Sequence, residues 1–317
     1  MKHTLIFALL CVCCLQASRS MADTLSESFG SDPLLHGWQT YGNSNLFHWN
    51  STNQNLEVTW DNTQPNSYFF KPLGTTLSKA DAFSLAFDLQ LTSVGADSPQ
   101  IAIGLFNYSN ATNSTFSRPA GTTPNLFEFD YFADNGIGDP AITAVVTDTS
   151  VGPGNTGSFY FVYDNLPLNV GTTYQIVVNH AAGATNLTGS VSVNGQIYTT
   201  LPAAFKGPVT DFRVDTVSIS SYGGGLPRPS AQGIVDNLVV TLPPPPIQNL
   251  VGSLSNGLWH ATFSGQAAWQ YTLQRTTNFV SWPNVASTNL NAASSPTLID
   301  PTPPFAGAFY RVQAARP

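Results

Sequence analysis

Between Phe83 and Leu91 every second residue is large and apolar: Phe83, Leu85, Phe87, Leu89 and Leu91 alternate with Ser84, Ala86, Asp88 and Gln90. Only an extended strand sends successive side chains to opposite faces, so this period of two specifies a strand with one face in a core. Further runs of strand type occupy 56–60, 68–70, 101–106, 126–132, 142–147, 159–163, 174–179, 187–193, 212–219 and 234–242. Asn194-Gly195 separates 187–193 from 196–200, the signature of a two-residue hairpin. Beyond the first 22 residues, no 12-residue window carries a helical stripe. The expectation is an all-β protein built from sandwiches.

The ends and the totals narrow this further. Lys2 and His3 precede an apolar run from Leu5 to Leu15, then small and polar residues follow. That order reads as a secretory signal over 1–22, and the run is too short to span a bilayer. Ser20 and Ala22 suit cleavage before Asp23; Ser18 and Ser20 suit cleavage before Met21. Cys11, Cys13 and Cys14 are the only cysteines, so an exported mature chain has no disulfide to staple it. A secreted, extracellular, periplasmic or cell-surface location is expected. The chain has 18 acidic and 11 basic residues, and loss of Lys2 and Arg19 leaves 18 against 9. That balance argues against nucleic acid and against membrane insertion.

The alternation stops at Pro243-Pro244-Pro245-Pro246, a stiff spacer. Residues 23–242 have the strand count of a two-sheet jelly roll, in which the first and last strands are commonly neighbours. Residues 247–317 have the size and rhythm of a small immunoglobulin- or fibronectin-like β module.

One segment concentrates chemistry: Glu128-Phe129-Asp130-Tyr131-Phe132-Ala133-Asp134-Asn135-Gly136-Ile137-Gly138-Asp139-Pro140. Glu128 and Asp130 leave one face of a strand while Phe127, Phe129 and Tyr131 leave the other. Asp134 and Asp139 belong to a glycine-containing loop at the strand end. Four carboxylates in so short a segment repel one another unless a cation sits among them, and hard oxygen ligands favour calcium. The plain reading is a solvated acidic loop.

Together with Gly104-Leu105-Phe106-Asn107, this segment resembles the metal loop of legume lectins of the concanavalin A type, within the concanavalin-like superfamily of lectins, laminin-G-like modules and glucanases. The resemblance implies calcium held by Asp130, the Phe132 carbonyl, Asp134 and Asp139, with Glu128 beside it. Asp134 stands where the family usually has asparagine. A second, transition metal in the family uses a histidine, and Ala144 stands at that spacing. The resemblance also implies carbohydrate or a glycoconjugate as the partner, with Asn135, Asp97 and Gly224 as the loop residues that meet it. Asp97 reads equally as an ordinary turn aspartate, and Gly223-Gly224-Gly225 as a plain loop.

Laminarinase-type glucanases share the jelly roll and carry Glu-x-Asp-x-x-Glu on one strand. Glu128 and Asp130 match the first two places, but Ala133 stands where the acid is needed, so no enzyme is expected from this strand. The five histidines are scattered, and no Gly-x-Ser-x-Gly elbow occurs. The sequence therefore points to a secreted, non-catalytic lectin with a calcium-shaped loop. The alternatives are an adhesive or structural surface protein without a sugar site, and a glucanase. Glu27 and Asp236, on the first and last strands, are a further candidate pair for a structural calcium.

Overall fold

The computed structural model describes residues 24–118, 123–133, 140–149, 158–164, 166–201, 203–204, 209–224 and 227–315. The alternating runs become strands. In chain order these are β1 (Thr24–Glu27), β2 (Gln39–Tyr41), β3 (Phe47–Asn50), β4 (Asn55–Trp60), β5 (Ser67–Ser78) and β6 (Phe83–Ser93). Next come β7 (Ile101–Phe106), a single helical turn α1 (Tyr108–Ala111), β8 (Leu126–Phe132), β9 (Ala141–Thr147), β10 (Ser158–Asp164) and β11 (Thr173–His180). The larger unit ends with β12 (Asn186–Val193), β13 (Gln196–Thr200), β14 (Ala203–Ala204), β15 (Arg213–Ser221) and β16 (Ala231–Thr241). Among the described residues no helix is long and apolar enough to cross a membrane.

Two compact units divide at Pro243 and Pro244. In the larger, nine strands form one antiparallel sheet whose main path is β13-β12-β11-β6-β16-β4-β3, with β1 on β16 and β14 on β12. Seven strands form the second, in the order β10-β9-β8-β7-β15-β5-β2. The first and last strands pair, Glu27 opposite Leu238 and Thr24 opposite Thr241. Asn194 and Gly195 both have positive φ (50° and 75°), which gives the twist that a two-residue hairpin needs.

One apolar core lies between the sheets. Phe83, Leu85, Phe87, Leu89 and Leu91 enter it from one side; Phe127, Phe129, Tyr131, Val217 and Ile219 enter it from the other. Trp38 and Trp60 belong to it and are fully buried, so neither offers a ring to a ligand. The two sheets differ on their outer faces. On β6 the alternate residues are half-exposed, as a strand with one wet face requires. On β7, β8 and β9 both faces are buried, apart from Phe132 at the end of β8. The segment between β7 and β8 crosses the outer face of the seven-stranded sheet. A second apolar cluster forms beneath it from Tyr68, Phe70, Ala102, Phe106, Leu126 and Tyr222. The Tyr68 hydroxyl donates to the Ala111 carbonyl (3.0 Å) and Asn66 Nδ2 to the Phe116 carbonyl (3.2 Å), tying the strap down.

The smaller unit has six strands: β17 (Ile247–Ser255), β18 (Leu258–Gly265), β19 (Trp269–Thr276), β20 (Asn284–Leu290), β21 (Thr297–Asp300) and β22 (Phe309–Ala315). They pair as two three-stranded sheets, β17-β18-β21 and β20-β19-β22, over a core of Ala261, Phe263, Tyr271, Leu273 and Leu298.

Candidate functional site

Glu128 and Asp130 both leave the outer face of β8, as period two demands. Cross-strand from Glu128 stands Gly104 of β7. A Cβ on Gly104 would lie 2.5 Å from Glu128 Cγ and 2.5 Å from the Phe127 carbonyl oxygen, so only glycine leaves room for the carboxylate to lie across the sheet. Arg118, on the strap, meets both acids. Its Nε donates to Glu128 Oε2 (2.9 Å) and its Nη2 to Asp130 Oδ2 (2.6 Å). The Tyr222 hydroxyl, just past the end of β15, donates to Glu128 Oε1. The Arg118 guanidinium also lies over the Tyr222 ring, and Phe116 stacks on that ring's neighbourhood at 6.1 Å between centroids.

The cluster is closed. Side-chain exposure is 11% for Arg118, 1% for Glu128 and 0% for Asp130. Burial pushes the Asp130 carboxyl up to about 7; Arg118 pulls it down and Glu128 pushes it further up. Burial and the Glu128 charge hold the Tyr222 hydroxyl protonated well above its ordinary range. For Arg118 the two carboxylates outweigh burial, so it stays charged.

These residues do not fit the calcium set expected of them. A guanidinium already neutralises Glu128 and Asp130 with hydrogen-bond geometry, and a divalent ion at the same oxygens would have to displace it. Asp130 Oδ1 has no closed hydrogen bond. A single orphaned oxygen is no coordination shell, and among the described residues no group of three or more His, Cys, Asp or Glu is arranged to hold a metal. Phe132 ends β8 opposite Ala141. Asp134, Asn135 and Asp139 lie outside the described residues. Ala144 is cross-strand from Phe129 and points into the core. A histidine at that position would face away from both acids, which removes the ligand a second metal needs. The Glu27 carboxylate is likewise engaged: Phe29 N–H donates to Oε1 (2.9 Å) and Trp38 Nε1 to Oε2 (3.0 Å).

The hydrolase pattern fails twice at this strand. Ala133 lacks a carboxyl, and it packs against the sandwich core, on the side opposite Glu128. Glu128 itself is buried, engaged by Arg118 and Tyr222.

Two of the remaining sequence candidates, Asp97 and Gly224, share one end of the sheet. β15 and β7 are adjacent, with Ser220 opposite Ala102. The loop before β7 and the loop after β15 therefore emerge side by side. Asp97 is exposed in the first, at a turn closed by Ser98 N–H to the Gly95 carbonyl (3.0 Å). Gly224 is exposed in the second, with φ of +89° and open space where a side chain would be. A Cβ on Gly95 would lie 3.8 Å from Pro229, so these two loops run close to each other.

Arg118 escaped the sequence reading, although a signal for it existed. Two carboxylates on a strand whose neighbours are all apolar require a cation, and residues 23–242 contain only six lysines and arginines.

No protein-family model matches the sequence, and no curated protein sequence matches it. Among solved structures, the neighbours are legume lectins, lectin-like carbohydrate-recognition domains and an alginate lyase. A peanut lectin structure with a nine-residue peptide is 18% identical with a TM-score of 0.46, covering 69% of this chain and 98% of that one. The Emp47p carbohydrate recognition domain is 9% identical with a TM-score of 0.45, covering 72% and 100%. The alginate lyase Aly36B is 11% identical with a TM-score of 0.44, covering 69% and 97%.

Proposed function

We propose that the larger unit is a non-catalytic, lectin-like carbohydrate-binding domain of an exported protein. Its sugar site lies where the loops before β7 and after β15 meet. One observation carries this reading. Two of the loops that the lectin resemblance singled out, those of Asp97 and Gly224, arise from neighbouring strands at one end of one sheet. An exposed aspartate and an exposed glycine without a side chain suit a ligand rich in hydroxyl groups, which needs charged acceptors and close backbone approach.

Below these loops the Arg118 clasp does the work assigned to calcium in the resembled family, since it neutralises the β8 carboxylates and ties the strap to the sheet. The domain is non-catalytic in this reading because the one acidic pair on its sheet is sealed and engaged. Export rests on the segment 1–22. The test is a glycan array probed with the whole mature chain, and again with Asp97→Ala. Binding to at least one glycan class, weakened about tenfold or more in Asp97→Ala, is expected from the loss of a charged acceptor. An array blank for the unaltered protein would refute the proposal.

A further inference from the structure

At the opposite end of β15 the seven-stranded sheet splits. Val214 pairs with Leu77, yet Thr216, two residues later, pairs with Pro72. β5 thus makes an excursion through 73–76 opposite Asp215 of β15. The sequence explains why. Pro72 has no N–H to give the ladder, Gly74 takes φ of +73°, and Leu73 turns inward to the core. A groove of about 450 Å³ opens at the split, lined by Gln39, Phe70, Thr75, Thr76, Tyr108 and Asp215 among others.

The lining combines two kinds of group. Tyr108, the first residue of α1, is 38% exposed, and its ring rests against buried Phe70 at 4.9 Å between centroids and 34° between planes. The ring therefore has one face fixed by protein and presents the remainder to the groove. Asp215, opposite the excursion, is held in place rather than free to turn. Its Oδ1 accepts from Tyr108 N–H (2.9 Å) and from Thr216 Oγ1 (2.9 Å), and its Oδ2 accepts only a long bond from Asn107 Nδ2 (3.4 Å). A carboxylate has about four acceptor positions, so Asp215 keeps capacity on Oδ2. The side chains of Gln39, Thr75 and Thr76 add an amide and two hydroxyls. Among the described residues no lysine or arginine lines the groove.

We infer that this groove is a second carbohydrate subsite, selective for neutral oligosaccharides. The Tyr108 ring takes the C–H face of a pyranose, and Asp215 with Gln39, Thr75 and Thr76 takes its hydroxyl rim. A pyranose has one face of C–H bonds and a rim of hydroxyls, so a fixed ring beside oriented acceptors complements it. The sign of charge sets the class. A uronate or sulfated sugar would bring an anion to a groove that carries the Asp215 carboxylate and, among the described residues, no cation to pair with it. About six residues of β15 separate Asp215 from the loop end, roughly 20 Å at a strand's rise. The two sites thus share one sheet without sharing a residue, and a chain-like glycan gains avidity if it reaches both. The inference rests on the proposed function only in taking the ligand to be carbohydrate.

The experiment is isothermal titration calorimetry of the whole mature chain with laminarihexaose, cellohexaose, mannohexaose and an alginate hexamer. Tyr108→Ala, Asp215→Asn and Asp97→Ala are titrated in parallel. Asp215→Asn keeps an oxygen for the Tyr108 N–H and so preserves α1, which guards against misfolding; thermal melting of each variant confirms it. At least one neutral hexasaccharide should bind, with affinity about tenfold lower in both Tyr108→Ala and Asp215→Asn, and the alginate hexamer should bind more weakly than the neutral ligand. If neutral binding survives both groove variants and falls only in Asp97→Ala, the groove inference is overturned while the loop-end site stands. If the alginate hexamer binds as well as the neutral ligand, the charge argument and with it the inference fail. If no saccharide binds, both proposals fall.

Discussion

Replacing Arg118 by methionine keeps most of the apolar stem and removes the guanidinium. Glu128 and Asp130, at 1% and 0% side-chain exposure, then share a buried face with no cation. Removing one partner of a buried pair costs about 3–5 kcal/mol, because the surviving charge is neither solvated nor paired. For a unit of this size, 1 kcal/mol moves the melting temperature by about 2–4 °C, so a fall of roughly 6–20 °C is expected near neutral pH. The effect has a definite pH signature. Burial already lifts the Asp130 carboxyl to about 7 against the downward pull of Arg118, whereas the unfolded value is about 3.9. With the folded pKa above the unfolded one, the folded state holds the extra proton between those values, and stability falls as pH rises through that window. Without Arg118 the upper edge of the window moves higher, so the deficit of Arg118→Met is largest at pH 8 and shrinks toward pH 5. Adding Asp130→Asn removes one of the two stranded charges and should recover part of the loss at pH 8. Scanning calorimetry at both pH values, on wild type, Arg118→Met and the double variant, reads all of this. A single variant melting within about 2 °C of wild type at pH 8, or a deficit that does not shrink at pH 5, would show that the clasp contributes nothing.

Gly104→Ala should destabilise the same unit by about 1–3 kcal/mol, because its Cβ meets the Phe127 carbonyl and Glu128 Cγ at 2.5 Å; urea unfolding measures it. If the Arg118 guanidinium is the cation at β8, any rise in melting temperature produced by calcium will be the same in Glu128→Gln and Asp130→Asn as in wild type, and its loss in these variants would restore a metal at this strand. In the smaller unit, Asp300 is buried and accepts from Thr302 N–H (2.9 Å), Arg275 Nη1 (2.7 Å) and the Tyr310 hydroxyl (2.8 Å). Asp300→Ala should cost that unit about 3–5 kcal/mol, seen as earlier loss of Trp259 and Trp269 fluorescence in denaturant. Burial alone would raise the Asp300 carboxyl, but these donors outweigh it and lower it. Its contribution is therefore complete above the unfolded value of about 3.9 and is lost as pH falls through the lower folded one.

How far these features were legible in the sequence depends on the range of the interactions that make them. Strands 101–106, 126–132 and 196–200 were readable to the residue, because alternation and turn chemistry are local. The same-face placement of Glu128 and Asp130 was readable for the same reason. Their burial was not. Polar residues at every second position of a strand normally mark a wet face, and only the strap from the β7–β8 connection reverses that here. Its anchors, Tyr68 to Ala111 and Asn66 to Phe116, join residues 43 and 50 positions apart, beyond the reach of any periodic pattern. At β8 the cation beside Glu128 and Asp130 is Arg118, brought there by the strap, and Asp134 and Asp139 of the expected calcium set lie outside the described residues.

The groove shows the converse case, in which a break in the pattern was itself the signal. The alternation at 68–70 stops at Lys71-Pro72-Leu73-Gly74, and a short strand is the natural inference from a proline and a glycine so close together. In the structure the strand resumes and runs to Ser78, with the break absorbed as an excursion beside an uninterrupted β15. That excursion is what separates two paired strands far enough to admit a ligand, and it does so next to Tyr108 and Asp215, which no local pattern connects to Pro72. The loop end is similar, since Gly95 and Gly224 interrupt strand signals where β7 begins and β15 ends. In a sheet protein without disulfides, strand order carries the stability, so openings are confined to the places where pairing lapses. An engineered restoration of pairing, such as deletion of 74–76 so that Leu73 stands opposite Asp215 between the Pro72 and Leu77 pairs, should therefore close the groove and abolish binding there while leaving the loop-end site active. Calorimetry with the neutral hexasaccharides measures it, and unchanged groove affinity in a folded deletion variant would contradict the link between the lapse in pairing and the site.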